Sequence, residues 1–443
     1  MHASNTSIPG PGRSTYIIAI LFLAWLFAYI DRQVIGLLVP SLKADMGLSD
    51  TQVSLLQGIA FSSVFALAGL PLGRVADRSN RRNLIALGVA VWSIATMACG
   101  LCSTFTELFA ARMCVGLGEA CIAPAAVSFI ADTFRPEHRG KAISIMQVGA
   151  PMGTSSALFF GGMLLSSLTT GTLAQHLGPS WQAWQIVFLS AGAPGLLVAL
   201  LVLTLREPAR RGTITATPSP SEGKPAGLFR HFRTNSATFS IIYALYACLF
   251  IIGYAVSAWA PTILMRVHGM SPRTAGATYA TVMLACSSTA YIFSGILSDY
   301  LSKRRPLDGR ILLPIFLLPV ELAAMATFFY TSSVTVTVAM LAVSSLSTGL
   351  GSTSSLPALQ DIAPNAMRGQ IVAVYLLIAN LIGLGLAPTL VGLVTDGIFH
   401  DEMLVQQSSA LVAFVAALLA LALALTLPRY YRRTRLAMQD DAA

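Results

Sequence analysis

GRVADRSNRR (73–82) and GILSDYLSKR (295–304) are one kind of segment written twice. Each opens on a glycine (Gly73, Gly295), places an aspartate one helical turn later (Asp77, Asp299) and closes on a basic cluster. A second pair follows in the same order: DTFRPEHRG (132–140) and DIAPNAMRG (361–369) run from an aspartate to an arginine at equal spacing, Asp132 to Arg139 and Asp361 to Arg368. Two loop signatures repeated in order imply a chain built from two related halves.

What separates these loops is apolar. Runs of about 20 residues, the length that crosses a bilayer core as a helix, occur near 17–39, 53–75, 83–103, 107–131, 141–168, 185–205, 237–265, 274–298, 311–331, 334–360, 370–394 and 405–427. The 443 residues are 55% hydrophobic and only 11% charged, with a mean hydropathy of +0.70. That leaves too little polar surface to cover a water-soluble core. The reading is an all-α membrane protein of twelve transmembrane helices in two pseudo-symmetric six-helix bundles. One substantial break in hydropathy, REPARRGTITATPSPSEGKPAGLFRHFRTNS (206–236), has the Pro, Ser and Gly content of a linker, with LFRHFR as a short surface helix. It separates an N-terminal bundle, 1–205, from a C-terminal bundle with a short tail, 237–443.

Most of the 28 Lys and Arg fall in alternate loops, including Arg78, Arg81 and Arg82 after the second run. The positive-inside bias places those loops, the linker and both termini in the cytoplasm of a multi-pass cell-membrane protein. The formal charge of +9 therefore needs no nucleic-acid partner. The first run is long and lacks a small-residue cleavage site, so it reads as a spanning helix rather than a signal peptide. Asn5-Thr6-Ser7 matches a glycosylation sequon on the cytoplasmic side, where it has no meaning. Cys99 and Cys102 form a C-x-x-C without a second ligand pair, so no metal or cofactor is expected. The G-x-G of VGLGEA lies within a span and follows no strand, which argues against dinucleotide binding. No nucleophile, base and orienter share a recognisable spacing, and an enzyme is not indicated.

Charge inside the runs carries the functional information. An ionised side chain facing lipid at mid-bilayer costs about 3 kcal/mol or more, so such residues face the bundle and have partners. Asp31, Arg32, Arg112 and Glu119 are the candidates, with Glu321, beside Pro319, more peripheral. At about 1.5 Å per residue, Asp31 on the first helix and Arg112 on the antiparallel fourth come to matching depth. Glu119 follows Arg112 by nearly two turns on the same face. One reading makes Glu119 and Asp31 proton-coupling groups, while Arg32 and Arg112 bind an anionic substrate group. The other makes Asp31/Arg112 and Arg32/Glu119 fixed structural ion pairs. Hydroxyls in SSLSTGLGSTSS (344–355), with Tyr375 and Asn380, outline either a cavity or ordinary helix packing.

GRVADRSNRR resembles the cytoplasmic loop signature of the major facilitator superfamily, with Asn80 where glycine is usual. Within that superfamily YIDR (29–32), MGLSDTQVSLLQGIAF (46–61), the stretch from Gly69 to Ser93, ARMCVGLGEACIAPAA (111–126), WAPTILMRVHGMS (259–271) and REPAR (206–210) are similar to the bacterial spinster branch. The resemblance implies a secondary transporter working by alternating access. Its gating loops would use Gly73, Asp77, Arg78, Arg81, Arg82, Asp132, Arg139, Gly295, Asp299 and Arg368, with Gly73 permitting a close helix approach. It also implies an amphipathic lipid substrate of the lysophospholipid or sphingosine 1-phosphate class and a bacterial inner membrane, while a proton gradient as energy source is what the coupling reading of Glu119 and Asp31 requires. An exporter of small amphipathic drugs or metabolites, and a non-transporting receptor or scaffold, are the alternatives.

Overall fold

The computed structural model describes residues 11–170, 173, 181–209, 234–363 and 368–440, and every regular element among them is helical. Among the described residues twelve spans are long and apolar enough to cross a membrane: Gly12–Met46, Asp50–Gly69, Arg81–Cys99, Phe105–Thr133, Glu137–Thr169, Ala183–Leu203, Ser236–Arg266, Pro272–Arg304, Gly309–Tyr330, Val334–Asp361, Gln370–Phe399 and Glu402–Met438. Each apolar run of the sequence overlaps one of them. The sequon at Asn5, most of the linker and its LFRHFR segment lie outside the described residues.

Local chemistry fixes where spans begin. Thr104 accepts the Glu107 N–H at 3.3 Å while Glu107 accepts the Thr104 N–H at 3.2 Å, a reciprocal cap that starts the fourth span. Ser49 and Gln52 do the same for the second span. Gly47, at φ +65°, turns the chain between the first two spans. Lys43 Nζ then closes that turn onto Asp50 Oδ1 at 2.7 Å.

Three of the first six spans are interrupted. The first breaks at Val34, between Pro11–Gln33 and Ile35–Met46. The second breaks at Gly58, between Asp50–Gln57 and Ile59–Arg78. The fourth breaks after Glu119, between Phe105–Glu119 and Ile122–Thr133. Where a break leaves a carbonyl of the preceding turn without a main-chain donor, that carbonyl must find another partner.

The chain forms two compact units, Met1–Thr215 with Met270–Ala280, and Ala216–Gly269 with Thr281–Ala443. In the first, the third span packs along the sixth and the first along the fifth; in the second, the ninth packs along the twelfth and the seventh along the eleventh. One packing plan is thus used twice.

The fourth span approaches the second closely at Gly116. A Cβ on Gly116 would stand 2.4 Å from the Phe61 carbonyl oxygen, and one on Gly118 would stand 2.7 Å from the Trp92 nitrogen of the third span. Gly73 does not play the close-contact role expected of it. A Cβ there would meet Pro124 at 3.9 Å, because the second and fourth spans have diverged from backbone contact at Gly116 to ordinary van der Waals separation. Gly295 meets nothing within 4 Å among the described residues. Gly116→Ala is therefore expected to cost about 1–3 kcal/mol by overpacking, and Gly295→Ala to be neutral. Unfolding of detergent-solubilised protein measures both; equal effects would contradict this packing.

Candidate functional site

The intramembrane charges of the first unit converge. Asp31, Arg112 and Glu119 are 1%, 0% and 3% exposed. Arg112 is held by backbone: its Nε donates to the Leu56 carbonyl at 3.3 Å and its Nη1 to the Asp31 carbonyl at 3.4 Å. Leu56 and Asp31 lie in the last turns of Asp50–Gln57 and Pro11–Gln33, so the guanidinium satisfies two helix ends created by the interruptions.

This corrects one expected pairing. Arg112 reaches Asp31 through the main chain, and among the described residues no ion pair joins it to the Asp31 carboxylate. That carboxylate instead accepts the Thr96 hydroxyl through Oδ2 at 3.1 Å. Its Oδ1 has no hydrogen-bond partner among the described residues. The physical reason is the break at Val34, which offers a bare carbonyl closer to the guanidinium than the side chain.

Arg32 and Glu119 form an ion pair through Nη2 and Oε2. The Arg32 guanidinium carbon also lies 4.8, 4.6 and 5.2 Å from the ring centres of Tyr29, Phe61 and Phe65. These are cation–π distances. Phe61 stands 5.7 Å from Arg112 as well, so one ring is shared by both guanidiniums. The sequence reading overlooked these aromatics. Tyr29 lies one turn before Arg32, and Phe61 and Phe65 lie one turn apart, a spacing that puts each pair on one helix face. Only packing reveals that the two faces meet.

Other candidates are dispersed. Glu321, 1% exposed in the second unit, accepts the Ser344 hydroxyl at 2.7 Å. Tyr375 is hydrogen-bonded to Ser355 at 2.6 Å, and Asn380 donates to the Leu376 carbonyl at 2.7 Å. Asp77 and Arg78 are exposed, and among the described residues Asp77 has no hydrogen-bonding or ion-pair partner. Arg139 donates to the Phe134 carbonyl at 3.3 Å. The side chain of Arg368 lies outside the described residues.

Arg81, by contrast, anchors a network: it pairs with Asp132, donates to Glu207 Oε1 at 2.7 Å, and reaches the Pro208 carbonyl at 2.9 Å. Arg82 donates its backbone N–H to the other Glu207 oxygen at 2.9 Å. In the second unit Asp361 takes the central place, 3.3 Å from Arg310 and 2.6 Å from Arg435, while Asp299 lies 3.8 Å from Arg310. Arg310 and Asp361 stand at one and the same sequence separation from Arg81 and Asp132.

Residues 21–388 match the Major Facilitator Superfamily. The chain belongs to the major facilitator superfamily. Its homologues and fold are those of superfamily transporters rather than enzymes. It is 28% identical to an MFS-type efflux pump of Mycolicibacterium smegmatis, over 92% of this chain and 91% of that one. It is 28% identical to human protein spinster homolog 1 over 58% of this chain and 47% of that protein. The crystal structure of a bacterial homolog to the human lysosomal transporter Spinster, inward-facing and unoccupied, superposes with a TM-score of 0.78 at 28% identity, covering 98% and 99% of the two chains. This is therefore a multi-pass membrane transporter similar to spinster proteins.

If Arg112 braces helix ends, Arg112→Met leaves two buried carbonyls unmet at about 1–3 kcal/mol each. Asp31→Asn keeps an acceptor for Thr96 and is expected to cost less. Thermal unfolding of the purified variants distinguishes this from a carboxylate partnership, in which both substitutions would cost alike.

Proposed function

We propose that this protein is a secondary active transporter working by alternating access, coupled to protons at Glu119, that moves a lysophospholipid or similar amphipath with an anionic or zwitterionic head group. The observation that carries the reading is the position of Arg32. It pairs with the Glu119 carboxylate and lies among the rings of Tyr29, Phe61 and Phe65, so neutralising Glu119 weakens the hold on a guanidinium suited to phosphate while the aromatic cage remains. Arg112, committed to two carbonyls, serves as brace rather than ligand. Asp31 is placed to share the coupling, since one of its oxygens is uncommitted among the described residues.

Other features support an amphipathic cargo. The helix that presents Arg32 also lines an apolar groove of 380 Å³ through Leu26 and Ile30, opposite Phe160 and Leu164 of the fifth span. The similarity to spinster proteins points to the lipid class, and the repeated packing plan of the two units supports rocking bundles. Orientation follows the basic loops: both termini cytoplasmic, in a bacterial inner membrane. A second reading, export of small amphipathic drugs or metabolites, is favoured by the likeness to the mycobacterial efflux pump.

Uptake of labelled lysophospholipid into proteoliposomes, with and without an imposed pH gradient, tests the proposal. Native protein is expected to respond to the gradient, Glu119→Gln to lose the response while remaining folded, and Asp31→Asn to weaken it. An undiminished response in both variants would sink proton coupling. Competition by organic cations and anions that outdoes lysophospholipid would favour the drug-export reading. Because proton and head group both act on the Arg32/Glu119 pair, binding of one favours the other. Head-group affinity is expected to rise as pH falls, and Glu119→Gln to fix it near its low-pH value.

A further inference from the structure

We propose that the first unit binds an anionic phospholipid in a second groove, between the starts of its first and fifth spans. The groove encloses 720 Å³, within the range of about 300–1,000 Å³ typical of small-molecule sites. Its rim and floor differ in chemistry. Arg135, His138 and Lys141 line one end, while Ile18, Phe22 and Ile145 line the remainder. The three basic residues are exposed, and none of the six belongs to the Arg32/Glu119 cluster.

Position along the helices gives the groove a direction. Arg135 caps the helix Pro136–Thr169, whose positive dipole end adds to the charge of the rim. The fifth span then passes from Lys141 to Ile145 in one turn. On the first span Thr15 belongs to the rim and Phe22 to the floor, about 10 Å deeper at the helical rise. A basic rim at the membrane face bearing the basic loops, above an apolar floor running inward, matches a phosphate head group above an acyl chain. Free phosphate would leave the floor uncovered, and a zwitterionic head group would answer the basic rim with no net charge. The basic cluster thus does more than set topology, and the site is separate from the transport reading.

Native mass spectrometry of the full chain in detergent tests this, titrating phosphatidylglycerol, phosphatidylcholine with the same acyl chains and inorganic phosphate in separate arms. Phosphatidylglycerol is expected to bind at least about tenfold tighter than phosphatidylcholine, two or more charges contributing about fivefold each. Arg135→Gln/Lys141→Gln is expected to weaken phosphatidylglycerol about 25-fold on the same scale, with phosphatidylcholine little changed. Ala19→Trp fills the floor without altering charge and is expected to weaken both lipids. Melting temperatures equal to native protein establish that the variants are folded. Equal binding of the two lipids, or undiminished phosphatidylglycerol binding in either variant, overturns the proposal. So does displacement of the lipid by inorganic phosphate at matching concentration, which would reveal a site for a soluble anion.

Discussion

Arg112 has no exposed surface, yet its bonds go to main-chain oxygens rather than to an acid. In hydrocarbon, a backbone carbonyl without a donor is costly, and a helix break is tolerated only where something replaces the missing bond. The first and second spans are both broken near the fourth, and one guanidinium answers both breaks. Its fork of donors suits this task in a way that the single ammonium of lysine does not. The breaks and the arginine therefore depend on one another: without the breaks Arg112 would lack acceptors, and without Arg112 the broken ends would lack donors.

Fixing those ends sets the positions of the remaining charges. Asp31 itself supplies one of the two carbonyls that Arg112 takes, and Arg32 follows it around the helix toward Glu119. Two arginines and two acids make the cluster balanced in formal charge, but the balance is unevenly distributed. Arg32 and Glu119 are paired directly, whereas Asp31 faces a hydroxyl and Arg112 faces dipoles. Removing one partner of a buried pair is far costlier than removing both. A proton on Glu119 performs the first operation and an anionic head group on Arg32 compensates for it. This energetic logic is what makes the pair suitable for coupling rather than merely for holding helices together.

The sequence carried the architecture well because its signals are local or periodic. Span length, basic loops and the repeated GRVADRSNRR pattern are each readable along one stretch of chain. Glu119 and Arg32 were also legible, since charge in an apolar run demands an internal partner. Their aromatic surroundings were not, because Phe61 and Phe65 are ordinary apolar residues until packing turns them toward the first span. The Asp31/Arg112 expectation matched depth but missed the acceptor. Depth follows from helical rise, whereas the break at Val34 carries no proline or glycine of its own to announce it. Glu207, Arg310 and Arg435 were overlooked for a third reason: each lies at the edge of a linker, loop or tail, where charge reads first as topology.

Those three residues expose a symmetry beneath the loop repeat. In the first unit one arginine, Arg81, lies between Asp132 and Glu207; in the second, one aspartate, Asp361, lies between Arg310 and Arg435. The central Arg/Asp pair is retained at equal separation, while the third member has changed sign. Each triad binds the corresponding span ends into one corner: the third and fourth with the segment after the sixth, and the ninth and tenth with the twelfth. The corners differ in wetness. The Arg81 side chain is 1% exposed and that of Arg310 is 26%. Salt screens exposed charges far more than enclosed ones, so the first corner is the stiffer electrostatic joint and the second the one that ionic conditions loosen. Two halves made to one plan thus acquire unequal rigidity at the ends where the repeated loops lie.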